Sequence, residues 1–259
     1  MSEHKRITVL DEARGFVVIC MIIYHFLYSY QYVFHLNESV NLFNNDFMKY
    51  FQIFISSSFI FISGISSSKS KNILKRGTRI FALSILISIA TYFLIPQEFI
   101  VFGILHFLGF SMISLDIIKR LLKNNFKRIN ENAHIMVLLC LFLLIICYNI
   151  KSGYIGIDGL YIITLPEHLY KNTLTSILGF PDAFFRSADY FPIIPHIFLF
   201  YAGVFSVRLK INKKIPDGAY IKHSQVLNFT GRNSLIIYIL HQPVIFILLY
   251  IYLIFIKNI

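Results

Sequence analysis

Seven apolar stretches of about 17 to 23 residues run through the chain, near 13–35, 47–67, 79–95, 99–117, 134–150, 190–207 and 233–256. A helix that crosses the hydrocarbon core of a bilayer needs about 17–25 predominantly apolar residues, so each stretch reads as a membrane span. The fold class that follows is all-α: a polytopic transmembrane helical bundle of about seven spans, built as a single domain over 1–259. Only 14% of the 259 residues are charged and 56% are hydrophobic, against roughly 25% charged in an ordinary soluble domain. A formal net charge of +11 would suit a nucleic-acid binder if the basic residues formed one surface. They sit between the apolar blocks instead, so no nucleic acid is expected as a partner and membrane lipid is the first one. Lys5, Arg6 and Arg14 precede an apolar run longer than a signal peptide's core, with no small-residue cleavage site after it, and the run is read as a retained first span. Cys20, Cys140 and Cys147 all fall in apolar runs and read as small buried hydrophobes.

Basic residues set the orientation, because Lys and Arg are retained on the cytoplasmic side. With the amino terminus inside, the inner segments hold 19 of the 24 basic residues: Lys5, Arg6 and Arg14; Lys69, Lys71, Lys75, Arg76 and Arg79; Lys119, Arg120, Lys123, Lys127 and Arg128; then Arg208, Lys210, Lys213, Lys214, Lys222 and Arg232. The outer segments hold Lys49, Lys151, Lys171, Arg186 and Lys257, and seven spans place the carboxyl terminus outside. The one long connection, 151–189, carries Gly153, Gly156, Gly159, Pro166, Gly179 and Pro181 among aromatic and apolar residues. It is too apolar for a free linker, and is expected as an external loop, a re-entrant structure or a cap over the outer mouth.

Ionisable side chains at membrane depth are costly and mark functional candidates. Arg14 and His25 are eleven residues apart, about 20° around a helix axis, and so share a face, with His25 roughly 16 Å further along. Asp11 lies about 60° from Arg14 and 40° from His25, in the same stripe. In the last span Ser234 and His241 are seven apart and share a face with Tyr238, ahead of Gln242 and Pro243; His241 lies roughly 13 Å in from Arg232. His106 and His196 enter from the other side, each some six or seven residues from the expected external end of its span. The bland account of any one of these histidines is a neutral imidazole satisfied by a neighbouring helix. No His-x-x-His or His-x-x-x-His pair and no nearby intramembrane carboxylate accompanies them, so no metal is expected. The serines from Ser56 to Ser68, with Gly64, look like a small-residue packing surface.

The segments RITVLDEARGFVVICMIIYHF, SGISSSKSKNILKRG, FGILHFLG, ADYFPIIPHIFLFYAGV and GRNSLIIYILHQP appear in an order that spans nearly the whole chain. Together they resemble the heparan-alpha-glucosaminide N-acetyltransferase-like family, in particular its small bacterial members. Arg, ten residues, then His is also the signature of membrane acyltransferases of bacterial surface polysaccharides, and Arg14 and His25 match it. The chain departs from the pattern at His196, where a tryptophan often stands, and contains no Trp at all. Larger eukaryotic members carry a lumenal domain outside this stretch of sequence, so their acceptor is not carried over.

The resemblance implies a multi-pass enzyme of the bacterial cell (plasma) membrane. It would move an acyl group, by default acetyl, from cytoplasmic acyl-CoA (acetyl-CoA) to a glycan, sugar or small-molecule acceptor reached from outside. His25 would be the general base, with a covalent acyl-histidine as the variant. Arg14 and Asp11 would anchor the donor, and Lys75, Arg76 and Arg79 would meet the CoA phosphates at the inner mouth. Asn233 and Ser234 join that donor-binding set, while His106, His196, Tyr238 and Gln242 are the acceptor-side candidates and His241 the second catalytic one. Asn233, Tyr238, His241 or Gln242 could donate to the developing oxyanion. A transporter of a small solute or of the acyl donor, with the histidines as a proton relay, is the rival reading, although no inverted repeat accompanies it. The sequence is also compatible with a homo-oligomer.

Overall fold

A computed structural model describes residues 7–36, 42–157, 159–209 and 217–257. Of the basic residues assigned above, Lys5, Arg6, Lys210, Lys213 and Lys214 lie outside the described residues, as do the side chains of Lys127, Arg128 and Lys257. In chain order the elements are α1 (Thr8–Tyr28), extended by a π-helical turn at Ser29–Val33, α2 (Asp46–Ser68), α3 (Ile73–Leu94), α4 (Ile104–Glu131), α5 (Ala133–Ile146), the strands β1 (Tyr154–Ile157) and β2 (Leu160–Thr164), α6 (Thr173–Leu178), α7 (Ile193–Leu209), α8 (Gln225–Arg232) and α9 (Ser234–Lys257). They fall into two compact units, one of Met1–Phe59 with Lys214–Ile259 and one of Ile60–Lys213.

Five helical stretches are long and apolar enough to cross a membrane: Thr8–Val33, Asp46–Ser68, Ile73–Leu94, Ala133–Ser152 and Ser234–Phe255. The count of seven spans is therefore not carried by length and composition, and backbone breaks explain the two that fall short. The block at 99–117 becomes helical only at Ile104, because Phe99–Gly103 run outside regular helix and Asp189 Oδ2 accepts the Ile104 N–H at 2.9 Å. From there about 22 Å of apolar helix remains before the Lys119–Arg120 run. The block at 190–207 yields a 17-residue α7 with a non-helical Ile194 near its start, between Pro192 and Pro195.

The all-helical reading also gives way at the long connection. β1 and β2 pair antiparallel, with Tyr154 opposite Thr164 and Ile157 opposite Leu160, around a bulge between Ile155 and Gly156. Only glycine fits at 156: its φ is +144°, and a Cβ there would lie 2.2 Å from the Leu160 carbonyl oxygen. α6, at six residues, is too short to be another span.

In the unit of 60–213, α2 and α7 meet through glycines. A Cβ on Gly64 would lie 2.1 Å from the Phe200 oxygen, and one on Gly203 would lie 2.3 Å from the Phe61 oxygen. Of the small-residue surface read in the second span, Gly64 is the residue at this close backbone contact, of the kind that membrane helices use. Buried Ile60, Phe107, Met112, Leu115 and Phe200 form this unit's core.

In the other unit α8 lies against α1. A Cβ on Gly231 would come within 1.7 Å of the Asp11 carbonyl oxygen, and one on Gly15 within 2.0 Å of the Leu227 oxygen. The start of α8 is tied down by Glu12, a buried carboxylate whose Oε1 accepts the His223 and Ser224 N–H groups at 2.7 and 2.9 Å and whose Oε2 lies 3.3 Å from His223 Nδ1. Ser224, the N-cap, accepts from Leu227 N. Val17, Val18, Met21, Phe59, Ile245 and Leu249 are buried in this unit.

Gly231→Ala is expected to lower stability by about 1–3 kcal/mol, because α8 must move away from α1 to admit the methyl group. Gly218→Ala, with nothing within 4 Å of its added Cβ, serves as the neutral control, and thermal unfolding in detergent compares the two. Glu12→Ala should speed hydrogen exchange at the amides of His223 and Ser224 while leaving the mid-α1 amides protected; unchanged exchange at those two positions would contradict the tie.

Candidate active site

Two polar levels occur along one face of α1, as the eleven-residue spacing of Arg14 and His25 requires. At the first, Arg14 Nη1 is 3.1 Å from Asp11 Oδ1 and donates at 3.4 Å to the Gly231 carbonyl. Both side chains are largely out of solvent, so the pair is a buried one whose separation would leave an uncompensated charge. At the second level His25 meets α9: its ring centroid is 4.9 Å from that of His241. Tyr24 packs edge-on against His25, and Tyr238 lies 5.3 Å from His241 while stacking on Phe59.

The tautomer of His241 follows from its partner. Its Nδ1 faces the Tyr238 carbonyl oxygen, which can only accept, so Nδ1 carries the proton. In the neutral ring Nε2 is then a bare acceptor, and it is buried with no hydrogen-bond partner among the described residues. His25, half-buried, has no ring nitrogen hydrogen-bonded among the described residues. One helical turn beyond His25, the buried Ser29 hydroxyl accepts from Gln242 Nε2 at 3.0 Å, while Gln242 Oε1 is buried with no hydrogen-bond partner among the described residues. Ser29 opens the π-helical turn, a distortion often found at functional sites. Two adjacent residues of α9 thus present acceptors without donors at the level where α1 carries His25 and Ser29.

The remaining residues singled out in this unit, Asn233 and Ser234, form the α8–α9 junction, where Asn233 Nδ2 donates to the Phe229 carbonyl at 2.9 Å. The others belong to the second unit. Lys75 and Arg79 are exposed and Arg76 half-buried in the first two turns of α3. His106 uses both ring nitrogens: Nδ1 accepts from the Gly103 N–H at 3.3 Å, so Nε2 carries the proton and donates to Ser88 Oγ at 3.3 Å. His196 Nδ1 donates to the Pro192 carbonyl at 3.0 Å, and its ring packs against Phe107 and Phe191. Among the described residues no group of three or more metal-ligating side chains converges.

Two contributors escaped the reading of the sequence. Glu12 stands beside Asp11 in a helix with few other charges, and its isolation was the available signal. Ser29 is four residues after His25 and therefore on the same face, but a lone serine in an apolar run carries no signal until its partner Gln242 is known.

The family model described as heparan-alpha-glucosaminide N-acetyltransferase, catalytic, matches residues 6–243, which takes in every residue placed above. No curated protein and no solved structure matches the chain. Matched over most of its length, and with both polar levels of α1 and the His241–Gln242 step inside the match, the chain belongs to the heparan-alpha-glucosaminide N-acetyltransferase family, a family of membrane acetyltransferases.

Proposed function

We propose that the protein transfers an acetyl group from acetyl-CoA, delivered on the cytoplasmic side, to a glycan, sugar or small amine that approaches from the external side of the cell membrane. The orientation rests on the positive-inside bias, which puts the amino terminus in the cytoplasm. The observation that carries the reading is the contact of His25 with a second imidazole whose Nε2 is buried without a partner. A small rotation lets a His25 N–H donate to His241 Nε2, so that a chain runs from the Tyr238 carbonyl through His241 to His25. The other nitrogen of His25 is then left as a base facing the acceptor.

In the reaction the acceptor's amine or hydroxyl attacks the thioester carbonyl as His25 takes its proton. The tetrahedral intermediate then collapses, the C–S bond breaks, and the CoA thiolate leaves and recovers the proton from His25. His241 supports the imidazolium formed on His25, which is a different role from donating to the oxyanion: its Nε2 accepts, and its one N–H is held by Tyr238. Gln242 Oε1 is an acceptor waiting for an N–H or O–H, which suits the substrate-binding role expected of that residue. The Asp11–Arg14 pair, held at the Gly231 carbonyl, is proposed to anchor the donor. Lys75, Arg76 and Arg79 remain the proposed phosphate-recognising groups of their own unit.

Purified protein given labelled acetyl-CoA and a panel of amino sugars tests the proposal by CoA release and acceptor labelling. His25→Ala should lower turnover by about 10²–10⁴-fold with the unfolding midpoint retained. His241→Ala should also be slow, and His241→Gln, whose carbonyl can accept the same hydrogen bond, should recover part of the rate. Undiminished turnover in His25→Ala would sink the mechanism.

A further inference from the structure

The connection between α5 and α7 is tightly organised, yet it presents apolar side chains outward. Phe184 is 92% exposed, the highest value among the large apolar residues described, and Leu174 and Leu178 of α6 are 72% and 44% exposed. The two leucines are four apart and so lie on one stripe of α6. Phe184 is fixed to that helix through Asp182, whose Oδ2 accepts from Thr173 Oγ1 at 3.0 Å, whose Oδ1 accepts from Phe184 N at 2.8 Å, and whose own N–H donates to Ser176 Oγ at 3.3 Å. A turn held by three hydrogen bonds does not expose a phenyl ring through looseness.

The position of this plate says what covers it. The Tyr170 hydroxyl donates to the Ile150 carbonyl, inside the apolar stretch Ala133–Ser152. Gly179, directly after α6, packs against the same residue: a Cβ there would lie 3.6 Å from Ile150 Cγ2 and 2.6 Å from the Ile194 carbonyl oxygen, so the C-terminal end of α6 touches both the end of that apolar stretch and the start of α7. On the other side the Tyr190 hydroxyl donates to the Ser176 carbonyl, three residues before α7 begins. Pinned to the end of the apolar stretch Ala133–Ser152 and to the start of α7, α6 lies beside the interfacial region, which adds about 5–8 Å to each side of the hydrocarbon core. Lys171 and Arg186, both exposed, flank the plate in sequence and match the phosphates of that region.

We infer that Leu174, Leu178 and Phe184 form a membrane-anchoring plate that inserts into the headgroup–acyl boundary of the bilayer, with Lys171 and Arg186 at the phosphates. The loop so anchored is a fixed rim rather than a free flap, independently of the chemistry that the enzyme performs. In-plane apolar elements reach about 5–10 Å into that boundary, a depth available to a phenyl ring on a short turn.

Because the chain contains no tryptophan, Phe184→Trp introduces a single tryptophan, which can be excited apart from the 16 tyrosines when the nanodisc scaffold is also free of tryptophan. In nanodiscs holding one chain each, its emission should be blue-shifted from that of tryptophan in water, should lose most of its intensity when the lipids are brominated along the upper acyl chain, and should resist aqueous iodide. Leu174→Trp should behave alike. Emission quenched by iodide and untouched by bromolipid would overturn the inference by placing the ring in water. Emission shielded from both quenchers would overturn it equally, by showing that protein covers the plate.

Discussion

The catalytic arrangement proposed for this protein depends on how closely α8 and the start of α9 approach α1. Between Gly15 and Leu227, and between Gly231 and Asp11, no side chain intervenes, and a methyl group at either glycine would overlap a backbone oxygen. This contact brings the Gly231 carbonyl within reach of Arg14 and sets Glu12 under the first turn of α8. One residue past α8, α9 starts at Ser234 and carries His241 to His25. A wider spacing, such as a leucine seam would impose, would take the Gly231 carbonyl out of reach of Arg14 and leave two imidazoles out of contact.

The α1 face was legible from helical arithmetic. An eleven-residue separation puts Arg14 and His25 in one stripe, and both turn toward the 231–241 segment. The same arithmetic paired Ser234 with His241 but could not say that His241 faces α1, because α9 is apolar nearly all round and has no preferred side to read. The apolar blocks located the helices, but block length overstated the spans where the backbone is interrupted. Asp189 intercepts α4 at Ile104 from far along the chain, and Pro192 and Pro195 break the run into α7. Such interruptions belong to tertiary contacts or to proline geometry, neither of which hydropathy registers. The hairpin of β1 and β2 had its signal in Gly153, Gly156 and Gly159, all at positive φ, but three glycines in an apolar loop suggest turns without saying which strands pair.

The four histidines of the apolar blocks, His25, His106, His196 and His241, read alike in the sequence and differ in what their nitrogens meet. His106 receives a backbone N–H and gives a proton to Ser88, so it closes its own hydrogen bonding and steadies the start of α4. His196 gives its Nδ1 proton to Pro192 one turn back and fills an aromatic corner. His241 is spent on one side only, and His25 on neither. The distinction is between an imidazole that completes a structure and one that leaves a valence for something else. It depends on which atom, donor or acceptor, stands within about 3 Å, a fact that residue identity and spacing do not contain.

That difference has an energetic edge. A buried acceptor left without a donor costs about 1–3 kcal/mol, and α9 holds two on consecutive residues, His241 Nε2 and Gln242 Oε1. Pro243 follows directly and withholds the N–H that would otherwise reach the Ile239 carbonyl, so the same turn of helix is short of a donor in its backbone too. A leucine at 242 and an alanine at 243 would remove the last two of these deficits and give a better membrane helix. With the Gln242 amide oriented as it is, these are deficits of donors, and N–H or O–H groups are what a molecule meeting this turn can supply. Amines and hydroxyls have them, as do the amides of a pantetheine arm, whereas an alkyl chain does not. The chemistry missing from this step of α9 is the chemistry that both substrates of an acetyl transfer carry.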